Sequence, residues 1–220
     1  MKIKKNNLFI PLFFIFLFLS CAQNVPKLES TRKSVIFEYE SEDAFPIARL
    51  SFFVETDKNV RRADKILLKN EETQYIWELE DLILFESVDR FYCGITNIQA
   101  PMGEKIPSGK YIANYFQLDG QEKQISSFLK YDDKLYSMNY KEALEFFNDL
   151  ILIKKIAIFD ENNVLIHYGE KESKFETVRG IWNEYNNANY FYDVVFIKGN
   201  DVILILPRQN VELEKSLNED

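Results

Sequence analysis

The residues able to do chemistry in this 220-residue chain are one histidine (His167), two cysteines (Cys21 and Cys93) and 35 carboxylates. A Ser-His-Asp relay needs its histidine beside a nucleophile, and no Gly-x-Ser-x-Gly turn surrounds any serine. His167 alternates with Ile166 and Tyr168 in strand-like sequence, the pattern of an ordinary strand residue. The common zinc sites need several His or Cys ligands, and there is no second histidine. Carboxylates pair for glycoside hydrolysis only when they face one another across roughly 5 to 9.5 Å. Glu38 with Glu40, and Glu78 with Glu80, instead share one strand face, the arrangement of a solvated surface. Asp160-Glu161-Asn162-Asn163 offers oxygen ligands for calcium. It lacks the long loop and closing glutamate of an EF-hand, so it reads as a turn. There is no Gly-x-Gly-x-x-Gly and no phosphate-cradling Gly-Lys loop. The expectation is no catalytic residue, no metal and no cofactor.

Recognition has more material. The segment Tyr185-Asn186-Asn187-Ala188-Asn189-Tyr190-Phe191-Tyr192 interleaves tyrosines with asparagines. That mixture gives rigid amphipathic contact area beside adaptable hydrogen bonding. Lys58, Arg61, Arg62, Lys65 and Lys69 form a basic run in an acidic chain, suited to an anionic glycan or lipid headgroup. Tyr185, Tyr190, Tyr192, Arg61 and Arg62 are therefore the candidate binding surface. The plainer readings are a helix end feeding a buried strand, and a solvated loop. Trp77 and Trp182 fall on apolar periodic faces and are expected in the core.

Met1 to Lys5 holds three lysines and no acid, Leu8 to Leu19 is an apolar run of twelve residues, and Ser20-Cys21 follows. A basic start, a short apolar core and a small residue ahead of a cut are the parts of a secretory signal. The run is shorter than the roughly 20 apolar residues of a spanning helix. Phe18-Leu19-Ser20-Cys21 resembles the lipobox of bacterial lipoproteins, in the relaxed form found in spirochaetes. Ser20 is the small residue before the cysteine, and Phe18 stands where most of the family has Leu. The resemblance covers residues 1–21. It implies cleavage between Ser20 and Cys21, a diacylglyceryl group on the Cys21 sulfur, acylation of the new amino group, and attachment to a membrane through those chains. Buried acyl chains contribute about 0.8 kcal/mol per CH₂, so two or more hold stably. Ala22-Gln23 lacks the aspartate that retains some of these lipoproteins at the inner membrane. The resemblance thus implies the outer membrane, on its periplasmic or surface face.

Without the three signal lysines, 24 basic residues face 35 acidic ones, a net charge near −11. That speaks against nucleic acid as a partner, and it leaves acyl chains rather than charge to hold a bilayer. Cys93 lies in the apolar run Phe91–Ile95 with no second free thiol to pair with, so the fold must rest on its core.

Strands must position whatever binds. Val35, Phe37 and Tyr39 alternate with Ile36, Glu38 and Glu40. Leu50, Phe52 and Val54 alternate with Arg49, Ser51 and Phe53, and Tyr75, Trp77 and Leu79 with Ile76, Glu78 and Glu80. Period-two alternation buries one strand face and wets the other. Further strands are expected at Ile66–Leu68, Leu82–Phe85, Phe91–Thr96, Tyr111–Phe116 and Gln124–Tyr131. Ile106-Pro107-Ser108-Gly109-Lys110-Tyr111, followed by Asp119-Gly120, resembles the closing strands of bacterial Ig-like and fibronectin-type sandwiches. In that pattern Tyr111 packs inward with its hydroxyl at the edge, and Asp119-Gly120 supplies a hairpin turn. The pattern implies fold and not function.

Beyond Tyr131, Asn139 with Glu142 is a capping-box pattern, and Leu144, Phe147 and Leu150 recur at helical spacing, predicting a helix over 140–150. Ser173 with Glu176 marks a second start, with Val178, Ile181, Trp182 and Tyr185 on one face of a helix over 174–186. Hairpins are expected from Ile151–Phe159 with Val164–Tyr168, and from Tyr190–Lys198 with Asp201–Pro207, the second turning at Gly199-Asn200. The expected fold is mainly β. A signal peptide over 1–20 and a lipidated tether over 21–33 precede an Ig-like β-sandwich over 34–131. An α+β domain over 136–207 follows, with a small antiparallel sheet and two helices, then a charged tail over 208–220. Lys130–Lys134 fits either a linker or a turn. The expected role is a membrane-anchored lipoprotein of the cell envelope, acting as a non-enzymatic binding or structural module for a protein or glycan. A carboxylate-based hydrolase or carbohydrate-processing enzyme is one alternative, and predicts a cleft lined by acids from distant parts of the chain. A periplasmic assembly or chaperone factor is another, and predicts a groove lined by aromatics.

Overall fold

The alternating segments form the expected strands. The computed structural model describes residues 26–57 and 62–211; the signal, Ser20, Cys21, Arg61 and most of the charged tail lie outside them. The first eight strands are β1 (Leu28–Glu38), β2 (Ile47–Thr56), β3 (Ala63–Asn70), β4 (Ile76–Leu79), β5 (Ile83–Ser87), β6 (Arg90–Ile98), β7 (Gly109–Gln117) and β8 (Glu122–Leu129). They lie in two sheets, one containing β1-β2-β6-β5 and the other β4-β3-β7-β8. This is the A-B-E-D and C′-C-F-G order of an Ig-like sandwich. Val35, Phe37, Leu50, Phe52, Val54 and Cys93 from the first sheet meet Ile66, Leu68, Tyr111, Ala113, Tyr115 and Leu129 from the second in one core. A fully buried side chain of this size contributes about 1.5–3 kcal/mol.

The second half adds α1 (Tyr140–Phe146), β9 (Leu152–Phe159), β10 (Leu165–Glu170), α2 (Val178–Glu184), β11 (Tyr190–Ile197), β12 (Val202–Ile205) and β13 (Gln209–Asn210). Its hairpins are antiparallel as expected. They also continue the first sheet. β12 pairs in parallel with β1, Val35 opposite Val202 through Glu38 opposite Ile205, so one nine-stranded sheet runs β10-β9-β11-β12-β1-β2-β6-β5 with β13 on β11. Val195, Ile197, Val202 and Leu204 join the sandwich core, while Ile156, Ile158, Phe175, Ile181 and Phe191 form a second cluster with α2. No helix among the described residues is long and apolar enough to cross a membrane.

α1 ends at Phe146 rather than at 150, and the expected tail begins with β13 and buried Val211; three further boundaries also differ from expectation. β1 begins at Leu28, inside the expected tether, and its polar start pairs with β2, Thr31 opposite Val54 and Lys33 opposite Phe52. Backbone hydrogen bonds hold that stretch, and they leave no apolar alternation to read. The link between the halves is a short 3-10 turn (Asp133–Ser137) with Leu135 fully buried. The second helix is split: Ser173–Phe175 is a separate 3-10 turn, and α2 starts after Thr177, whose hydroxyl accepts from the Gly180 N–H at 3.1 Å. Ser173 therefore does not cap it. The Asn139–Glu142 capping box is present in full.

Gly120 (φ +80°) and Gly199 (φ +83°) supply the left-handed turns of their hairpins. The β5–β6 turn does so without glycine, through Val88 (φ +49°) and Asp89 (φ +59°). Both positive angles define a type I′ turn, for which Asn-Gly is the favoured pair. A β-branched residue there is strained. Val88→Asn with Asp89→Gly is expected to raise stability by about 1 kcal/mol, read as a higher urea midpoint at unchanged slope. A lower midpoint would show that the valine is not strained.

Candidate binding cleft

Three tyrosine hydroxyls pin one short segment before β7. Tyr111, at the start of β7, donates to the Pro107 carbonyl at 2.6 Å, the tyrosine corner of Ig-like sandwiches. Tyr131 donates to the Ile106 carbonyl, and the Tyr136 hydroxyl accepts the Ile106 N–H at 2.8 Å. Burial pushes the phenol pKa of all three upward, so each stays neutral at physiological pH. Buried Asn70 organises the neighbouring β3–β4 turn. Its side-chain oxygen accepts from the N–H groups of Glu72 (3.0 Å) and Thr73 (2.9 Å), and its amide donates to the Ser108 carbonyl at 3.1 Å. Gly109, at φ +105°, leaves room for the Glu72 carboxyl group, whose carbon a Cβ would meet at 2.6 Å.

These turns wall an open cleft of about 800 Å³ between the end of the four-stranded sheet and the end of α1. Phe146 (42% exposed) and Leu150 (42%) form an apolar shelf on one side, with Phe147 buried beneath. Lys105, Lys130, Glu72, Asp132, Asp133 and Asp149 supply both charges around it. Lys105 pairs with Asp133 at 3.0 Å, and Asp132 caps the 3-10 turn by accepting the Lys134 N–H at 2.9 Å. Glu72 and Asp149 thus come to one cleft from segments far apart in sequence. The arrangement suits a ligand with an apolar patch flanked by polar groups.

The residues singled out from sequence that fall among the described ones lie elsewhere. Tyr190 is 6% exposed, stacked on Phe159 at 5.0 Å, with the Arg208 guanidinium 3.9 Å over its ring. Tyr192 packs edge-on against both rings. Tyr185 lies over His167, its hydroxyl 3.1 Å from Nδ1. Tyr190 is therefore buried in the fold, while Tyr185 and Tyr192 are half-buried against their neighbours. Arg62 immediately precedes β3, 3.7 Å from Asp119. Asp160 accepts the N–H groups of Asn162 (2.9 Å) and Val164 (2.8 Å), which is turn chemistry. Glu38 pairs with Arg49, and Glu78 with Lys65. Burial holds Cys93 as a thiol, its pKa pushed up to about 12. Trp77 donates to the Gln99 carbonyl at 2.8 Å and stacks on Tyr111, and Trp182 packs on the second core. Among the described residues no group of three or more His, Cys, Asp or Glu side chains is placed to hold a metal.

The cleft itself had one sequence signal, the Pro107-to-Tyr111 corner. That signal marks the fold and carries no sign that α1 will close the other side. No family model, curated protein or solved structure matches this chain.

Proposed function

We propose that this chain is an exported lipoprotein, anchored through Cys21 to the outer membrane of the cell envelope, whose body binds a protein or glycan partner in the cleft between the sandwich and α1. The observation that carries the binding half is the exposed shelf of Phe146 and Leu150 inside a walled cleft. Large apolar groups left open beside fixed polar ones are the usual make-up of a recognition site. Phe146→Asp with Leu150→Asp is expected to abolish capture of a partner from envelope extract while the circular dichroism stays native. Equal capture by both proteins would overturn the cleft as the site.

The anchoring half rests on the lipobox resemblance. Cells grown with labelled palmitate are expected to label the wild-type chain and not Cys21→Ala. The variant should also move from the detergent-rich to the aqueous phase in a phase-separation extract. Equal label in both would remove the anchor.

The convergence of Glu72 and Asp149 favours a second reading, a carboxylate-based hydrolase acting on envelope glycans. Glu72→Gln and Asp149→Asn separate the two readings. Hydrolysis would be lost in both variants, whereas simple binding would survive at least one.

A further inference from the structure

We infer that the β5–β6 turn, led by Val88, rests on the lipid bilayer and sets how the anchored body stands; this rests on the lipid-anchored reading above. The ladder places Leu28 opposite Thr56, Thr56 opposite Phe91, and Phe91 opposite Glu86. The point where the chain enters the fold and the β5–β6 turn therefore share one end of the sheet. Arg90, next to the turn, ties them together by pairing with Glu29 of β1, and its Nε lies 3.6 Å from Glu55. Cys21 precedes Leu28 by seven residues. Fully extended, that length spans at most roughly 25 Å, while β1 carries the body roughly 33 Å further from that end. Lipid on Cys21 thus holds the Val88 end toward the bilayer.

That end is apolar at its tips. Val88 is 91% exposed and kept at a strained positive φ. An exposed valine that the fold does not need, held where asparagine would relax the turn, points to a use outside the fold. Leu118, 66% exposed, tops the β7–β8 turn at the same end. Gln117 beside it faces Ala63, the first residue of β3, and the Leu118 N–H donates to the Arg62 carbonyl at 3.0 Å. Among the described residues the charges around these tips are mixed, with Glu86, Asp89 and Asp119 against Arg62 and Arg90. The exposed apolar side chains Val88 and Leu118 make the contact. A weak contact suffices, because the anchor already confines the body to the surface and makes the second association effectively intramolecular. The β9–β10 turn then faces away from the bilayer, since Tyr190 opposite Phe159 lies beyond Val194, which pairs with Ile205 at the level of Glu38.

The test uses the full lipidated chain carrying Val88→Cys, labelled with an environment-sensitive fluorophore. Cys93 is fully buried and does not compete for the label. Asn162→Cys, in the β9–β10 turn, is the control. Both are reconstituted in phosphatidylcholine vesicles containing a lipid-borne quencher. The label at position 88 is expected to shift to the blue and to be quenched several-fold more than the label at 162. Equal quenching at the two positions, or stronger quenching at 162, overturns the inference, provided that Cys21 carries palmitate in the same preparation. A blue shift at 88 that appears only when envelope protein is added also overturns it, in favour of a protein partner. Absence of palmitate on Cys21 marks instead a failure of the anchored reading, and the inference falls with it.

Discussion

Gly94→Ala is expected to destabilise the fold by about 3 kcal/mol or more, enough to unfold a marginally stable body. Gly94 sits in β6 opposite Phe53 of β2 on one side and Ile83 of β5 on the other. A Cβ there would meet the Phe53 Cα at 2.6 Å and the Phe52 carbonyl carbon at 2.9 Å. These are backbone atoms of a central strand, so no flexible side chain can step aside. The register shift between Leu50 and Phe52 in the β2–β6 ladder accompanies this close approach. Gly103→Ala serves as the comparison. Gly103 has φ +81° and nothing within 4 Å of an added Cβ, so only the left-handed penalty of about 1 kcal/mol applies. Urea denaturation of both variants distinguishes the two costs. A wild-type midpoint for Gly94→Ala would show that β2 and β6 do not approach so closely.

Phe37→Ala is expected to cost about 3–5 kcal/mol and to weaken both halves of the chain together. Phe37 is fully buried in β1, edge-on to Tyr136 at 5.3 Å and tilted against Tyr131 at 5.9 Å. Its strand lies between β2 of the sandwich and β12 of the C-terminal half. A cavity at that seam removes contacts that both sides share. Trp77 reports on the sandwich and Trp182 on the second core. Chains retaining one or the other tryptophan should give coincident unfolding curves, and Phe37→Ala should lower both midpoints equally. Two separate transitions, with only the Trp77 signal shifted, would mean that the halves unfold independently.

Much of the fold was legible locally. Alternation in Val35–Tyr39, Leu50–Val54 and Tyr75–Leu79 marked strands, because a strand with one wet face must place apolar residues at every second position. The Asn139–Glu142 box and the Gly120 and Gly199 turns were legible for the same reason, since caps and left-handed turns depend on residues a few positions apart. The polar start of β1 and the Thr177 cap were not. The first is held by main-chain hydrogen bonds to β2, which carry no side-chain signature, and the second lay behind a stronger-looking Ser173 pattern. The burial of Tyr190 was not legible in the tyrosine-rich segment, because composition does not say which ring a neighbouring strand will cover. Phe159 and Arg208 cover Tyr190.

By itself the sequence determined the order and type of the first twelve strands, the places of the two helices though not their lengths, and the sandwich corner at Tyr111, all of which depend on neighbours within one turn or one strand. Only the tertiary structure decided that β12 would lie parallel to β1 and merge two expected modules into one sheet, and that α1 would stand across from the Lys105–Ser108 segment to make a cleft. The reason is range. Pairing across more than a hundred residues is chosen by which buried faces remain to be covered once the local elements exist, and no window of sequence holds both partners of that choice.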